Sequence, residues 1–267
     1  MAGSVSAERT GSKQAMEIRV NTHQRHITIV TIAYEARRNA MTRAMMADLA
    51  ELWDRLDPDP ECRAVILTAA GERSFCVGAD ISGDLTASPE MARVINRALL
   101  KDTPFSKPII AAVNGYCVGG GVELLLSTDI RMTVPAARFG LPEVKWSIYP
   151  FGGATVKLAR QIGHVHAMDL LLTGRLVDAT FAEKIGLING IVEPAGLMPW
   201  AIQTAEAIAA NSPSAVQAVK EQISTTSADF AKSREAMEQA LGDKVRESPH
   251  FAEGVAAFRE KRRPNYS

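Results

Sequence analysis

The chain has 267 residues, of which 46% are apolar and 22% charged, and its 30 basic residues are balanced by 30 acidic ones. That length suits one large domain, or one domain with a smaller helical appendage, around a sizeable buried core. A formal net charge of zero lacks the basic excess that a nucleic-acid binder carries.

The opening stretch 1–15 is rich in Ser, Ala, Gly and charge and lacks the apolar segment of a secretory signal, so it reads as a disordered leader. Strands are expected at 17–20 and 26–34 around a polar turn at 21–25. The β-branched residues favour extended chain, although the alternation slips between Ile29 and Val30, so both faces are expected to be partly covered. Thr42 can cap a helix whose apolar positions Met45, Leu49, Leu52, Trp53 and Leu56 follow the helical repeat. Asp57-Pro58-Asp59-Pro60 stops it.

A short apolar strand follows at 63–68, then a loop at 71–83, a helix at 89–100 and a second apolar strand at 108–113. Helix returns at 122–127 and strand at 130–134. This order of strand, loop, helix and strand argues for an α/β core. From about Gly152 the pattern turns helical, at 153–162, 166–172 and 179–186, with Asp178 as a cap and Gly186 as a stop. A short strand at 189–192 precedes an almost wholly helical remainder, with Ser212-Pro213 opening one helix and another expected at 249–261. The expected division is a leader 1–15, an α/β core 16–195 and a helical C-terminal region 196–267.

Cys62, Cys76 and Cys117 are odd in number and form no CxxC pair, the pattern of reduced thiols in an intracellular protein. His164 and His166 are too closely spaced for a structural zinc site and read as a solvated helix start. The longest apolar runs are far too short to span a bilayer. A cytoplasmic protein without membrane or nucleic-acid partners is expected.

The most informative segment runs from Ile109 through Asn114-Gly115 and Gly119-Gly120-Gly121 to Glu123. An apolar strand enters three glycines, and a helix follows. Glycines let a ligand approach the backbone closely, and a helix start supplies free N–H groups facing negative charge. The spacing fits neither the dinucleotide fingerprint, whose sixth position would be Leu124, nor the P-loop, which needs Gly-Lys-Ser/Thr. A tight turn with no ligand is the plain alternative. A second strand, 63–68, leads to a similar small-residue turn at Gly78-Ala79-Asp80. Two such turns on neighbouring strands would aim two backbone N–H groups at one point. For Asp80, capping a helix or holding the loop is the plain reading.

Four segments together carry a resemblance. They are Gly-Ala-Asp-Ile at 78–81, Ala-Ala-Val-Asn-Gly-Tyr at 111–116 with Gly-Gly-Gly-Val-Glu at 119–123, Arg-Phe-Gly-Leu-Pro-Glu at 138–143, and Phe-Arg-Glu-Lys-Arg-Arg-Pro at 258–264. In this order they resemble the enoyl-coenzyme A hydratase/isomerase, or crotonase, family. The resemblance implies an α/β, crotonase-like spiral of ββα units with a C-terminal helical oligomerisation region. It also implies an acyl-CoA thioester substrate with no separate cofactor, and a homotrimer or a hexamer built as a dimer of trimers.

By that resemblance the oxyanion hole falls on the N–H groups of Ala79 and Gly120, and the two catalytic carboxylates on Glu123 and Glu143. Each Glu taken alone reads as an exposed surface charge. Glu123 is assigned to water and Glu143 to proton donation, with the exchanged assignment as the alternative. The substrate is expected to meet Arg38, Ala40, Gly78, Asp80, Ile81, Gly119, Phe151, Phe258 and Lys261. Arg38 and Lys261, with Arg37, are the basic residues offered to the coenzyme A phosphates. Phe151 stands where the hydratases usually carry a glycine, and its ring is expected to reshape the acyl pocket, with Trp146 and Tyr149 as further wall or as core. Having both carboxylates favours a hydratase. The alternatives are an isomerase, an acyl-CoA hydrolase or C–C lyase on the same scaffold, or a non-catalytic acyl-CoA binder.

Overall fold

The first two strands, β1 (Glu17–His23) and β2 (Ile27–Ala33), form an antiparallel hairpin in which His23 faces Ile27. The hairpin is tighter than the sequence suggests. Asn21, Thr22 and His23 pair with Ile29, Thr28 and Ile27, and the turn is confined to Gln24, Arg25 and His26. Gln24 and His26 take positive φ there, which closes the short connection. The computed structural model describes residues 16–80 and 88–267. The expected leader 1–15 and the candidate residue Ile81 lie outside the described residues.

From β3 onward the chain repeats one unit. A long strand enters the main sheet, a three-residue strand enters a second sheet, and a helix returns. The long strands are β3 (Ala64–Ala69), β5 (Ile109–Val113) and β7 (Ile130–Thr133). The short ones are β4 (Ser74–Cys76), β6 (Tyr116–Val118) and β8 (Arg138–Gly140). Two further strands, β9 (Val177–Asp178) and β10 (Gly190–Ile191), complete sheets ordered β1-β2-β3-β5-β7-β10 and β4-β6-β8-β9. Pairing is parallel except at the β1–β2 and β8–β9 edges. Parallel neighbours require a crossover between them, which the intervening helices provide. This is the spiral of ββα units expected of a crotonase-like α/β chain.

The second sheet lies inside segments that sequence patterning reads as loops. Ser74, Phe75 and Cys76 are all buried, yet three residues are too few for an alternating pattern to register. Both faces of the main sheet are covered, so β3 and β5 are buried along their full lengths. In β2, Ile29 is half-buried while Val30 is fully buried, in line with the slip in its alternation.

Helix α1 (Arg43–Leu56) is capped by the Thr42 hydroxyl, which accepts the Met45 N–H at 3.2 Å. Helix α2 (Pro89–Ala98) starts with Pro89 in its first turn and is capped by Ser88. The short α3 (Gly120–Leu125) follows the glycine run, and α4 (Ala154–Ile162) and α5 (His164–Thr173) follow the second carboxylate. Asp178 caps α6 (Ala179–Lys184) by accepting the Phe181 N–H at 2.8 Å. Helix α7 (Pro194–Ala209) buries Leu197, Ala201 and Ala205 in the main core. Beyond it, α8 (Pro213–Arg246) is a single helix of 34 residues whose buried positions include Ala228, Ala231, Glu238 and Gly242. It leads to α9 (Pro249–Glu260).

Candidate active site

Two tight turns from adjacent ββα units meet at backbone distance. After β4, Gly78 takes φ +98°, and after β6, Gly119 takes φ +59°. Both values favour glycine. A Cβ added to Gly78 would lie 3.2 Å from the Gly120 nitrogen, and one added to Gly120 would lie 3.7 Å from the Ala79 nitrogen. The approach is therefore main chain against main chain.

Local pairing determines where these N–H groups point. Gly78 C=O accepts from Met41 N–H at 2.8 Å, and Asp80 N–H donates to Met41 C=O at 2.9 Å. Backbone groups of an extended strand alternate sides, so the Ala79 N–H is directed away from Met41. Gly120 is the first residue of α3, where an N–H has no acceptor within the helix. Ala79 is exposed and Gly120 half-exposed. The turn is held from below by Cys76, whose Sγ accepts the Gly78 N–H at 3.4 Å.

The same bridge brings the Arg38 loop to this place. Arg38 takes the left-handed conformation, φ 54°, and is exposed, whereas Ala40 is buried just before Met41. Asn39 anchors the loop, donating from Nδ2 to Ala70 C=O at 2.9 Å and to Ser74 C=O at 2.7 Å.

Glu123 lies one turn into α3 and is only 6% exposed. Its Oε1 accepts the Ala154 N–H at 3.3 Å, at the start of α4. Its Oε2 lies so close to Gly152 that a Cβ there would collide with it. Glu143 sits in a 3-10 turn, Pro142–Trp146, and its Oε1 would lie 3.1 Å from a Cβ on Gly119. Neither carboxylate is the exposed surface charge of the plain reading. Burial pushes Glu123 up to about 7, against hydrogen bonds from Ala154 and Gly152. Burial first, and the charge of Glu123 second, push Glu143 up to about 8. Glu143 Oε2 has no hydrogen-bond partner among the described residues. The pair thus holds a proton near neutrality and titrates as one system.

The enoyl-CoA hydratase/isomerase family model matches residues 22–267. The chain belongs to this family.

It is 42% identical over 248 residues to the enoyl-CoA hydratase EchA19 of Mycobacterium tuberculosis, covering 90% of this chain and 93% of that protein. It is 37% identical to the (E)-benzylidenesuccinyl-CoA hydratase of Thauera aromatica, covering 90% and 95%. Among solved structures, EchA1_1 of Mycobacterium paratuberculosis superposes with a TM-score of 0.86 at 32% identity, covering 95% of this chain and 99% of that one. A carnitinyl-CoA dehydratase of Mycobacterium avium does so at 0.85 and 33%, with the same coverage.

Of the sequence-predicted residues, Gly78, Ala79, Gly119 and Gly120 form this contact, Glu143 lies against Gly119, and Glu123 is one turn along the helix that Gly120 starts; Asp80 follows Ala79 in the bridge to Met41, and Arg38 and Ala40 are on the loop that leads to Met41. Phe151 packs towards α8. Its ring fills the notch left by Gly242 on α8, lies 5.1 Å from Tyr149, and carries the Arg246 guanidinium 4.6 Å over its face. It is Gly152, the next residue, that abuts the Glu123 carboxylate. Phe258 stacks edge-on against Trp146 at 5.1 Å, so α9 backs the turn that carries Glu143. Lys261 is exposed and ends α9 with φ 55°.

Two charged residues near this site escape sequence reasoning. Lys101, just beyond α2, and Glu238, on α8, form an ion pair at 3.0 Å with both side chains about 5% exposed. No motif joins positions so far apart in the chain. The available signal was a lone Glu on the alanine-lined face of α8, beside Ala228, Ala231 and Gly242.

Proposed function

We propose that the chain is an enoyl-CoA hydratase that adds water across the double bond of a 2-enoyl-CoA. The observation that carries this reading is the pair of carboxylates, Glu123 buried and Glu143 half-buried, beside two backbone N–H groups at a turn-to-turn contact. The thioester carbonyl accepts from the N–H groups of Ala79 and Gly120. Ionised Glu123 takes a proton from water as the water oxygen bonds to the β-carbon. The double-bond electrons move to the α-carbon and onto the thioester oxygen, giving an enolate. Protonated Glu143 then delivers its proton to the α-carbon. One water is consumed, and the pair exchanges which carboxyl holds the proton.

Each part has a physical role. Two donors aimed at developing charge stabilise it without reorganising, at about 3 kcal/mol per donor. General acid and base groups work best with pKa values near the working pH, where the two carboxyls are poised. Arg38, exposed on the loop that leads to Met41, is offered to the coenzyme A phosphates, with Lys261 as a second candidate. Coenzyme A enters as part of the substrate, and no separate cofactor is required by this chemistry.

The proposal extends to assembly as a homotrimer or a dimer of trimers. Val165, Met168 and Leu172 on α5 and Val219, Ile223, Met237 and Leu241 on α8 present exposed apolar side chains. Such patches mark contact surfaces. Light scattering on the purified chain tests this, and a monomer at micromolar concentration would remove it. No helix among the described residues is long and apolar enough to cross a membrane, and a cytoplasmic location is part of the proposal.

The activity is tested by loss of enoyl absorbance with crotonyl-CoA, using wild type, Glu123→Gln and Glu143→Gln. Each variant is expected to lose about 10²-fold or more in kcat. Wild-type rates in both would remove the assignment. Product analysis across a panel of acyl thioesters separates hydration from isomerisation or hydrolysis.

A further inference from the structure

Four consecutive residues, Gly152 to Thr155, lie between Glu123 and the buried Lys101–Glu238 pair. Gly152 abuts Glu123 Oε2, and the Ala154 N–H donates to Glu123 Oε1 at 3.3 Å. From the same turn, Gly153 takes φ +107° and a Cβ on it would lie 3.3 Å from Lys101 Cγ. Thr155 completes the link by donating from Oγ1 to Glu238 Oε1 at 2.6 Å. One short turn therefore grips the carboxylate with two residues and meets the ion pair with the other two.

Stability does not explain why that pair is there. A buried ion pair is often no better than well-packed apolar residues of the same volume, because desolvation offsets the attraction. Its ends come from different parts of the molecule, Lys101 from the segment after α2 and Glu238 from the long helix α8. We propose that Glu238 and Lys101 are positioning residues that set the proton balance of Glu123, so that the seating of α8 is coupled to the chemistry. The inference rests on Glu123 acting as the base for water.

The electrostatics support it. After burial and two backbone hydrogen bonds, the remaining influences on Glu123 are Lys101, which lowers its pKa, and Glu238, which raises it by less. The other titratable groups facing Glu123 are Glu143, Lys157 and Tyr149. Lys157 is tied by its Nζ to Leu100 C=O at 2.7 Å and Ser127 Oγ at 2.8 Å, and burial lowers it to about 8. Tyr149 shares a hydrogen bond with Thr155. Neither Lys157 nor Tyr149 joins α8 to the turn through a paired charge, as Glu238 does.

The test is the pH profile of kcat/KM for intact chains carrying Glu238→Gln, Lys101→Met, or the swap Lys101→Glu with Glu238→Lys. Glu238→Gln leaves the lysine charge unbalanced, so the acidic limb moves to lower pH by about half a unit or more. Lys101→Met moves it to higher pH by a similar amount. The swap keeps an ion pair and reverses its field, so its limb also moves upward. It serves as the decisive variant if a single substitution fails to fold by circular dichroism. KM changes little in each. A purely structural pair lowers the amount of folded enzyme and leaves the limb in place, so superimposable profiles would overturn the inference. Full activity of Glu123→Gln would instead overturn the functional reading beneath it, and the two failures are distinct.

Discussion

Replacing Glu123 by Gln is expected to inactivate the protein and to stabilise it, by an amount that depends on pH. In the folded chain Glu123 is raised from its ordinary 4.5 to about 7, chiefly by burial. The folded state then holds a proton that the unfolded state has released over the window between those values. Stability contributed by the neutral acid is fully present below about 4.5 and falls as pH rises to about 7. Above that window the ionised, buried carboxylate costs up to about 3 kcal/mol relative to an unperturbed one. Gln keeps the shape and can still accept the Ala154 N–H through its amide oxygen; it gives up the Gly152 hydrogen bond, a loss common to all pH values, and never ionises. The pH-dependent part of the gain is expected to be about 3 kcal/mol at pH 8.5 and under about 1 kcal/mol at pH 5. For a chain of this size that corresponds to about 6–12 °C in Tm at the higher pH. The assay is calorimetric or denaturant unfolding of both chains at the two pH values, beside the crotonyl-CoA rate. An equal increment at both pH values, or a loss at pH 8.5, would refute the reasoning.

Other outcomes follow from the same geometry. Gly152→Ala places a methyl group against Glu123 Oε2 and displaces the base, so kcat should fall about 10²-fold with KM little changed; crotonyl-CoA kinetics check this. Gly242→Ala drives a methyl into the Phe151 ring and should destabilise the seat of α8 by about 1–3 kcal/mol, read by denaturant unfolding. The wild-type kcat/KM profile should be bell-shaped, rising as the pair loses its first proton near about 7 and falling as it loses the second near about 8. A profile flat across that range would contradict the two-carboxylate scheme.

Much of this was legible in the sequence because local physics wrote it there. Thr42 and Asp178 cap helices in the structure as their residue types imply. The apolar runs at 63–68 and 108–113 became the strands β3 and β5. Gly119 and Gly78 hold positive φ at the turns where small residues were singled out. What escaped has a common cause. β4, β6 and β8 are three-residue strands with no room for a period, and their pairing with distant segments decides their state. The direction of the Ala79 N–H depends on Met41, a residue whose side chain advertises nothing and whose main chain does the pairing. The seat of the Phe151 ring on Gly242, far along α8, is a tertiary contact that no local pattern announces. The ion pair of Lys101 and Glu238 is likewise a product of tertiary packing.

The most direct measurement removes the two proposed donors one at a time without altering a side chain. Amide-to-ester exchange, placing lactate at Ala79 or glycolate at Gly120, deletes a single N–H while keeping the local shape. The account predicts a fall of about 10²–10³-fold in kcat for each exchange. The carbonyl stretch of a bound, unreactive acyl-CoA should also return towards its value in water. Ester chains that turn over crotonyl-CoA at the wild-type rate would contradict it.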